Sequence, residues 1–308
     1  MIAFVYAGQG SQKVGMGRDL YEAYPAFRAV FDSAPVDFDL KSLCFEGPEE
    51  RLNRTRYTQP CLLAFAIGVT RLLYDRGIRP QAAAGLSLGE YSALYAAGVL
   101  DEKTAIKTVS LRGRAMEEAA GNLSCGMTAV LGLEREKLES ACREAAALGT
   151  VQICNYNCPG QLVISGEKAA VDRAGELAKE LGAKRCMPLR VSGPFHTALM
   201  APAGEALAAH FLTTALRPMD FPVYFNCKGG PMAPGETIPE LLVRQVQSGV
   251  LWEDTIRAME RDGVNTVVEI GPGKTLSGFF RKTAPGIRTY SIETAADLEK
   301  VAAEWKGA

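Results

Sequence analysis

The first hydrophobic run of the chain, "IAFVY" from Ile2 to Tyr6, breaks at once into the glycine-rich "AGQGSQKVGMG". A short apolar run closed by turn residues predicts a buried strand. Helix-rich sequence follows to about Arg76, and a short strand is expected near residues 81–85. Beyond it, "GEYSALYAAGVL" puts Tyr91, Leu94, Tyr95 and Gly98 at helical spacing. Strand, tight turn and helix in that order predict an α/β layer architecture.

Residues 123–191 carry a different pattern. "GMTAVLGL" predicts a strand and "EREKLESACREAAAL" an amphipathic helix. "TVQICNYN" and "QLVISG" predict two strands joined through Cys158-Pro159-Gly160, a turn signal. "EKAAVDRAGELAKELG" is a second helix with Gly182 as its stop, and "AKRCMPLRV" a last strand. The order β-α-β-β-α-β is that of a ferredoxin-like unit, expected here as a small inserted domain over 123–191. The flanks, 1–122 and 192–308, then form one larger α/β domain that closes with the strand "TVVEI" and the loop "GPGKT".

Composition narrows the classes. Hydrophobic residues make up 47% and charged residues 22%, ordinary for a globular protein. The longest apolar run, "CLLAFAIGV", is too short to span a bilayer, and the start has no basic region of the kind that opens a signal peptide. A net charge of -1 supplies no global field for nucleic acid or a membrane surface, so neither is expected as a partner. None of the eight cysteines forms a CxxC pair. Cys154 and Cys158 straddle a predicted strand and turn with no histidine near in sequence, so no metal site is expected. Reduced, buried thiols in a cytoplasmic protein are the expectation. Two glycine-rich stretches fall short of a phosphate loop: Met16 stands where "GSQKVGMG" needs its lysine, and Val268 where "GPGKT" needs its first glycine.

The chemistry gathers around Gly85-Leu86-Ser87-Leu88-Gly89. Gly-x-Ser-x-Gly is the pattern of a nucleophile on a sharp strand-to-helix turn, but small-residue loops also produce it. The strand expected before Ser87 and the helix after it favour the nucleophile. A serine needs a base, and the chain has only two histidines. His210 sits among aliphatic residues of a helix, where a histidine without chemistry belongs, whereas His196 lies in the Gly-Pro loop "GPFHTALM" just before that helix. His196 is therefore the candidate base, and no acidic third member stands out. Ala105, Val109, Arg112 and Met116 share one helical face, which puts Arg112 on an otherwise apolar side. Two readings of Arg112 stay open: an internal salt bridge, or a fork that binds an acidic substrate.

The segments "AGQGSQ", "GLSLGEYSAL", "LRGRAM", "NYNCPGQLVISG", "GPFHTALM", "LVRQ" and "EIGPGK" occur in the order seen in malonyl-CoA:acyl-carrier-protein transacylases, which the chain resembles from about residue 2 to 280. The resemblance implies a hydrolase-like α/β domain carrying a ferredoxin-like insert. It implies that Ser87 takes malonyl from CoA as an ester and passes it to the thiol of acyl carrier protein, with His196 as the base. Gln245 in "LVRQ" would orient His196 through its carbonyl, and the amides of Gln9 and Leu88 would form the oxyanion hole. Arg112 would hold the free carboxylate of malonate, and Phe195 would select against an α-methyl branch. The substrates would be malonyl-CoA and the holo carrier protein, with no cofactor. Two departures accompany the match: Leu86 replaces a common histidine and Ala7 a common proline. Rival readings are a thioesterase-like serine hydrolase using the same pair, a non-catalytic carrier-binding subunit, and a malonyl transferase serving polyketide synthesis.

Overall fold

The N-terminal apolar run forms β1 (Ile2–Tyr6), which lies inside a six-stranded sheet. The computed structural model describes residues 1–189 and 193–306. β2 (Ala82–Gly85) pairs with one side of β1 and β9 (Thr266–Ile270) with the other. β10 (Arg288–Ile292) adds to β9, and β7 (Val223–Phe225) to β2, all in parallel. β8 (Gly230–Pro231) closes the far edge antiparallel to β7. The side chains of β1 divide between two cores. Phe4 and Tyr6 point into one, while Ala3 and Val5 point into the other beside Trp252 and Phe280. A strand buried on both faces reads as an unbroken apolar run, which is why its pattern does not alternate.

Four short helices, α1 (Arg18–Ala23), α2 (Pro25–Asp32), α3 (Leu40–Glu46) and α4 (Glu49–Leu52), lead into α5 (Thr55–Asp75), a largely buried helix of the first core. After β2 come α6 (Gly89–Ala96) and α7 (Glu102–Ala120). The later helices are α10 (Ala201–Phe211), α11 (Ile238–Gln247), α12 (Trp252–Arg261), α13 (Thr275–Thr283) and α14 (Ala295–Lys306).

Between α7 and α10 lies a second sheet of β3 (Cys125–Leu131), β4 (Val151–Cys158), β5 (Gln161–Glu167) and β6 (Arg185–Pro188), all antiparallel in the order β4-β5-β3-β6. Its helices α8 (Arg135–Ala145) and α9 (Lys168–Glu180) cover one face, where Leu138, Ile153, Ile164 and Leu177 pack together. The opposite face sends Met127, Ala129 and Val163 into the first core. Main-chain bonds across Val250, from Tyr156 N to its carbonyl and from its amide to Cys154 O, both 2.9 Å, fasten β4 to the segment just before α12.

Several expectations change. The large sheet does not end with "TVVEI": β10 and α14 follow, and three-residue β7 sits between β2 and β8. β7 is too short, and β10 too polar along its edge position, to announce itself by pattern. Cys154 and Cys158 do not straddle a strand but lie within β4, both buried. The expected domain boundary between 191 and 192 falls outside the described residues. Among the described residues no helix is long and apolar enough to cross a membrane.

Candidate active site

The register Tyr6↔Gly85 and Tyr6↔Ile270 ends β1, β2 and β9 at one level. The loops leaving their carboxyl ends therefore converge, the usual place for a ligand on an open parallel sheet. Backbone crowding shapes the turn there. A Cβ on Gly85 would fall 1.9 Å from the Gly89 carbonyl carbon, and one on Gly89 would fall 2.2 Å from Tyr6 O. Both positions need glycine, and the residue between them, Ser87, is forced to φ 53°. For a residue with a side chain such a conformation costs about 1–3 kcal/mol, so its surroundings must hold it. Asn226 and Gln245 do so: Ser87 N donates to Asn226 Oδ1 at 2.6 Å, and Gln245 Nε2 donates to Ser87 O at 2.8 Å.

The loop before α10 brings His196 to this turn, itself at φ 59°. Its Nε2 lies 2.7 Å from Ser87 Oγ, and its Nδ1 lies 2.9 Å from the carbonyl oxygen of Gln245 at the end of α11. A carbonyl only accepts, so Nδ1 carries the proton and Nε2 is the acceptor for the Ser87 hydroxyl. Burial, reinforced by the positive charge of Arg112, lowers the imidazole pKa to about 4, against a partial upward pull from the Gln245 and Ser248 backbone. The ring is thus neutral and basic at Nε2 across ordinary pH.

Arg112, on the buried face of α7, reaches the same serine. One Nη2 donates to Ser87 Oγ and to Gln245 Oε1, each at 3.0 Å, and the guanidinium lies 5.3 Å from the Tyr91 ring centroid. The internal salt bridge weighed for Arg112 is not there: among the described residues no carboxylate lies within ion-pair distance, and Nε has no acceptor. Its neighbour Arg114 instead faces outward toward Asp37. Glu90, in the first turn of α6, is fully buried, and its Oε2 accepts the Asn226 amide at 2.6 Å. Burial pushes its carboxyl up to about 8, a rise that the Asn226 amide and the Arg112 charge oppose. Burial thus favours the protonated form of Glu90, which weakens its hold on the charge of Arg112.

Ser87 and His196 open into a cleft of about 640 Å³. Gln9, Leu86 and Phe195 line it from the larger sheet, and Met127, Asn155, Asn157 and Val163 from the smaller. Gln9 is braced through Nε2 to Thr55 Oγ1 at 3.0 Å. Leu88 is buried at the start of α6, so only its backbone can serve the site. Of the seven residues singled out from sequence, Ser87, His196, Arg112 and Gln245 form one hydrogen-bonded group. Gln9 and Phe195 border the cleft, and Leu88 follows the serine. His210 stays apart on α10, bonded to Thr108 Oγ1 at 2.9 Å. Sequence reading passed over Glu90, Asn226 and Gln152, the last of which donates from β4 to the His196 carbonyl at 3.1 Å. A carboxylate amid the apolar "GEYSALYAAG" could have flagged Glu90; the other two carry no local signal.

Comparison with known proteins adds four findings. A family model described as an acyl transferase domain matches residues 3–300. "Malonyl CoA-acyl carrier protein transacylase" of Bacillus subtilis (strain 168) is 44% identical over 301 residues, 97% of this chain and 95% of that protein. Among solved structures, the "MCAT from Streptococcus pneumoniae" superposes with a TM-score of 0.94 at 44% identity, covering 99% of this chain and 100% of the other. Another is a complex described as "type II PKS acyl-carrier protein in complex with its malonyl-transacylase", with a TM-score of 0.95 at 40% identity, covering 98% and 99%. Matched from residue 3 to residue 300 by that model, and this similar to such relatives over nearly its whole length, the chain belongs to the acyl transferase domain family.

Proposed function

We propose that this chain moves a malonyl group from coenzyme A to the phosphopantetheine thiol of acyl carrier protein through a malonyl ester of Ser87. The observation that carries this reading is the line of contacts Gln245 O, His196, Ser87 Oγ and Arg112, with a neutral imidazole at its centre. His196 Nε2 takes the hydroxyl proton as Ser87 Oγ attacks the thioester carbonyl. The oxyanion is held by the amides of Gln9 and Leu88, donors of a type worth roughly 3 kcal/mol each. The C–S bond then breaks, and His196 returns its proton to the departing thiolate. The carrier thiol enters by the same steps in reverse, giving up its proton to His196 and displacing Ser87.

Arg112 supplies selectivity. Its guanidinium has no carboxylate partner of its own and a free Nε, so the distal carboxylate of malonate completes it. Phe195 beside His196 narrows the space available to a branched acyl group. The hydrolase reading has no use for such an arginine. The names of the relatives agree with malonyl transfer, and the solved carrier complex agrees with a carrier protein as acceptor. The chemistry needs no cofactor, and eight free thiols fit a cytoplasmic location. For the architecture we infer a hydrolase-like α/β core from 1–122 and 192–308. The order β4-β5-β3-β6 supports a ferredoxin-like insert over 123–191.

The test is incubation with malonyl-CoA followed by intact and peptide mass spectrometry. One malonyl mass is expected on the peptide containing Ser87, discharged by holo acyl carrier protein. No adduct, together with no loading of the carrier, would overturn the reading.

A further inference from the structure

Ser87 sits in a backbone conformation that a serine does not choose, and within its own turn only the Glu90 amide bonds to it, donating to Ser87 O at 3.1 Å, while Ser87 N finds no partner there. Gln245 adds a bond to Ser87 O, and the partner of Ser87 N is a residue 139 positions away in the chain. Asn226 leaves the end of β7 fully buried, and its side-chain amide spans the turn. Oδ1 accepts from Ser87 N at 2.6 Å while Nδ2 donates to Gly85 O at 2.7 Å. The two ends of one amide thus satisfy a donor and an acceptor on either side of Leu86. Asn226 is itself fixed on both sides, since its own amide donates to Glu90 Oε2 at 2.6 Å and its carbonyl accepts from Leu251 N at 2.8 Å.

We infer that Asn226, anchored by the carboxyl of Glu90, is a positioning residue that holds the Ser87 turn in its reactive conformation. The inference rests on Ser87 being the nucleophile. The φ and ψ of Ser87 aim two groups at once, the hydroxyl toward His196 Nε2 and the following amide, that of Leu88, toward the developing oxyanion. A turn released from Asn226 relaxes toward an ordinary conformation, and both aims are lost together. Acylation then slows while the grip on malonyl-CoA, made elsewhere in the cleft, is retained. Glu90 suits its place because a protonated or an ionised carboxyl can each accept the Asn226 amide through Oε2. The anchor therefore persists across the pH range in which Glu90 titrates.

The near-isosteric Asn226→Asp exchange tests this without emptying the site. Its carboxylate still accepts from Ser87 N but sets a second acceptor against Gly85 O, a clash that protonation removes. The groups that face this position are Glu90 and Arg112, with His196 across the serine. His196 stays neutral down to about pH 4 and does not mask the effect. The readout is the single-turnover rate of Ser87 malonylation, with malonyl-CoA affinity and melting temperature measured alongside. At pH 8 the variant is expected to acylate about 100-fold more slowly, as for an attacking atom displaced by roughly 1 Å. Affinity stays within a few-fold, and the deficit narrows as pH falls toward 5.5. A folded variant acylating at the wild-type rate, or equally slow at every pH, would overturn the inference. Should Asn226→Asp not fold, Asn226→Ser, which removes the bridge to Gly85 with less disturbance, takes its place. Slow acylation with affinity intact supports the role, and failure of both to fold would overturn it in favour of a purely structural asparagine. Wild-type protein run in parallel separates the two proposals: no wild-type adduct defeats the transferase reading, whereas a normal wild-type adduct with an unaffected variant defeats only this one.

Discussion

The two walls of the cleft are built on different plans. The wall from the six-stranded sheet carries Ser87, His196 and Gln9 on loops at the ends of strands and helices, with Arg112 and Gln245 behind them. Two of its residues hold positive φ, and each is tied by hydrogen bonds from distant parts of the chain. The wall from the four-stranded sheet is antiparallel strand, contributing Met127 and Val163 from the even pairing of β3 with β5 and two buried asparagines from β4, where its register with β5 shifts, with no non-glycine residue at positive φ. Reacting groups need directions that regular structure does not provide, so they sit where the backbone is bent and clamped. Groups that only bound the space can come from ordinary strands. Under the proposed function, the difference separates a wall that does the chemistry from a wall that shapes its container.

Substitutions across the two walls test that separation. His196→Ala should do most harm, slowing Ser87 acylation by about 1000-fold in a single-turnover assay. A loss of only a few-fold would remove the base from this wall. The wild-type profile of kcat/KM should be flat near neutrality and fall as pH drops toward about 4, where the imidazole protonates. The same shift carries a stability consequence. Between the unfolded value near 6.5 and the folded value near 4, the unfolded chain binds the extra proton, so His196 makes stability rise with pH across that window.

Arg112→Ala comes next. Losing a charge-assisted bond worth about 1.5–3 kcal/mol should cut malonyl transfer by roughly 10- to 150-fold while acetyl transfer changes far less. Equal losses with both thioesters would return Arg112 to a structural duty toward Ser87 and Gln245. The smallest effect is expected from the far wall. Gln152→Ala removes the one bond that β4 gives the His196 carbonyl, a neutral contact worth about 0.5–1.5 kcal/mol, so acylation should slow by roughly 2- to 10-fold. A loss as large as that of His196→Ala would mean that the smaller sheet takes part in the chemistry after all.

Much of this was legible in the residues because the local constraints are severe. Gly85 and Gly89 leave no room for a Cβ, so the turn writes itself into the sequence. With two histidines in the chain, the base was a choice between a loop and an aliphatic helix face. The apolar stripe beside Arg112 announced its burial, but not its partners: an amide, a hydroxyl and an aromatic ring stand where the salt-bridge reading puts a carboxylate. Asn226 and Gln152 left no trace, since an isolated asparagine or glutamine beside a strand looks like any other.

Periodicity and glycine spacing, both properties of neighbouring residues, together with the scarcity of histidine in the chain, thus determined the strand-turn-helix at Ser87, the helical address of Arg112 and the choice of His196. Tertiary structure alone decided which distant groups satisfy the bent backbone. It set the tautomer of His196 through Gln245 O, kept Arg112 free of a carboxylate, and brought Asn226 across from β7 to Ser87. The physical reason is range. A backbone strained by its neighbours can be seen locally, but hydrogen bonds that hold it come from whatever the sheet order places beside it, and that order links residues more than one hundred positions apart.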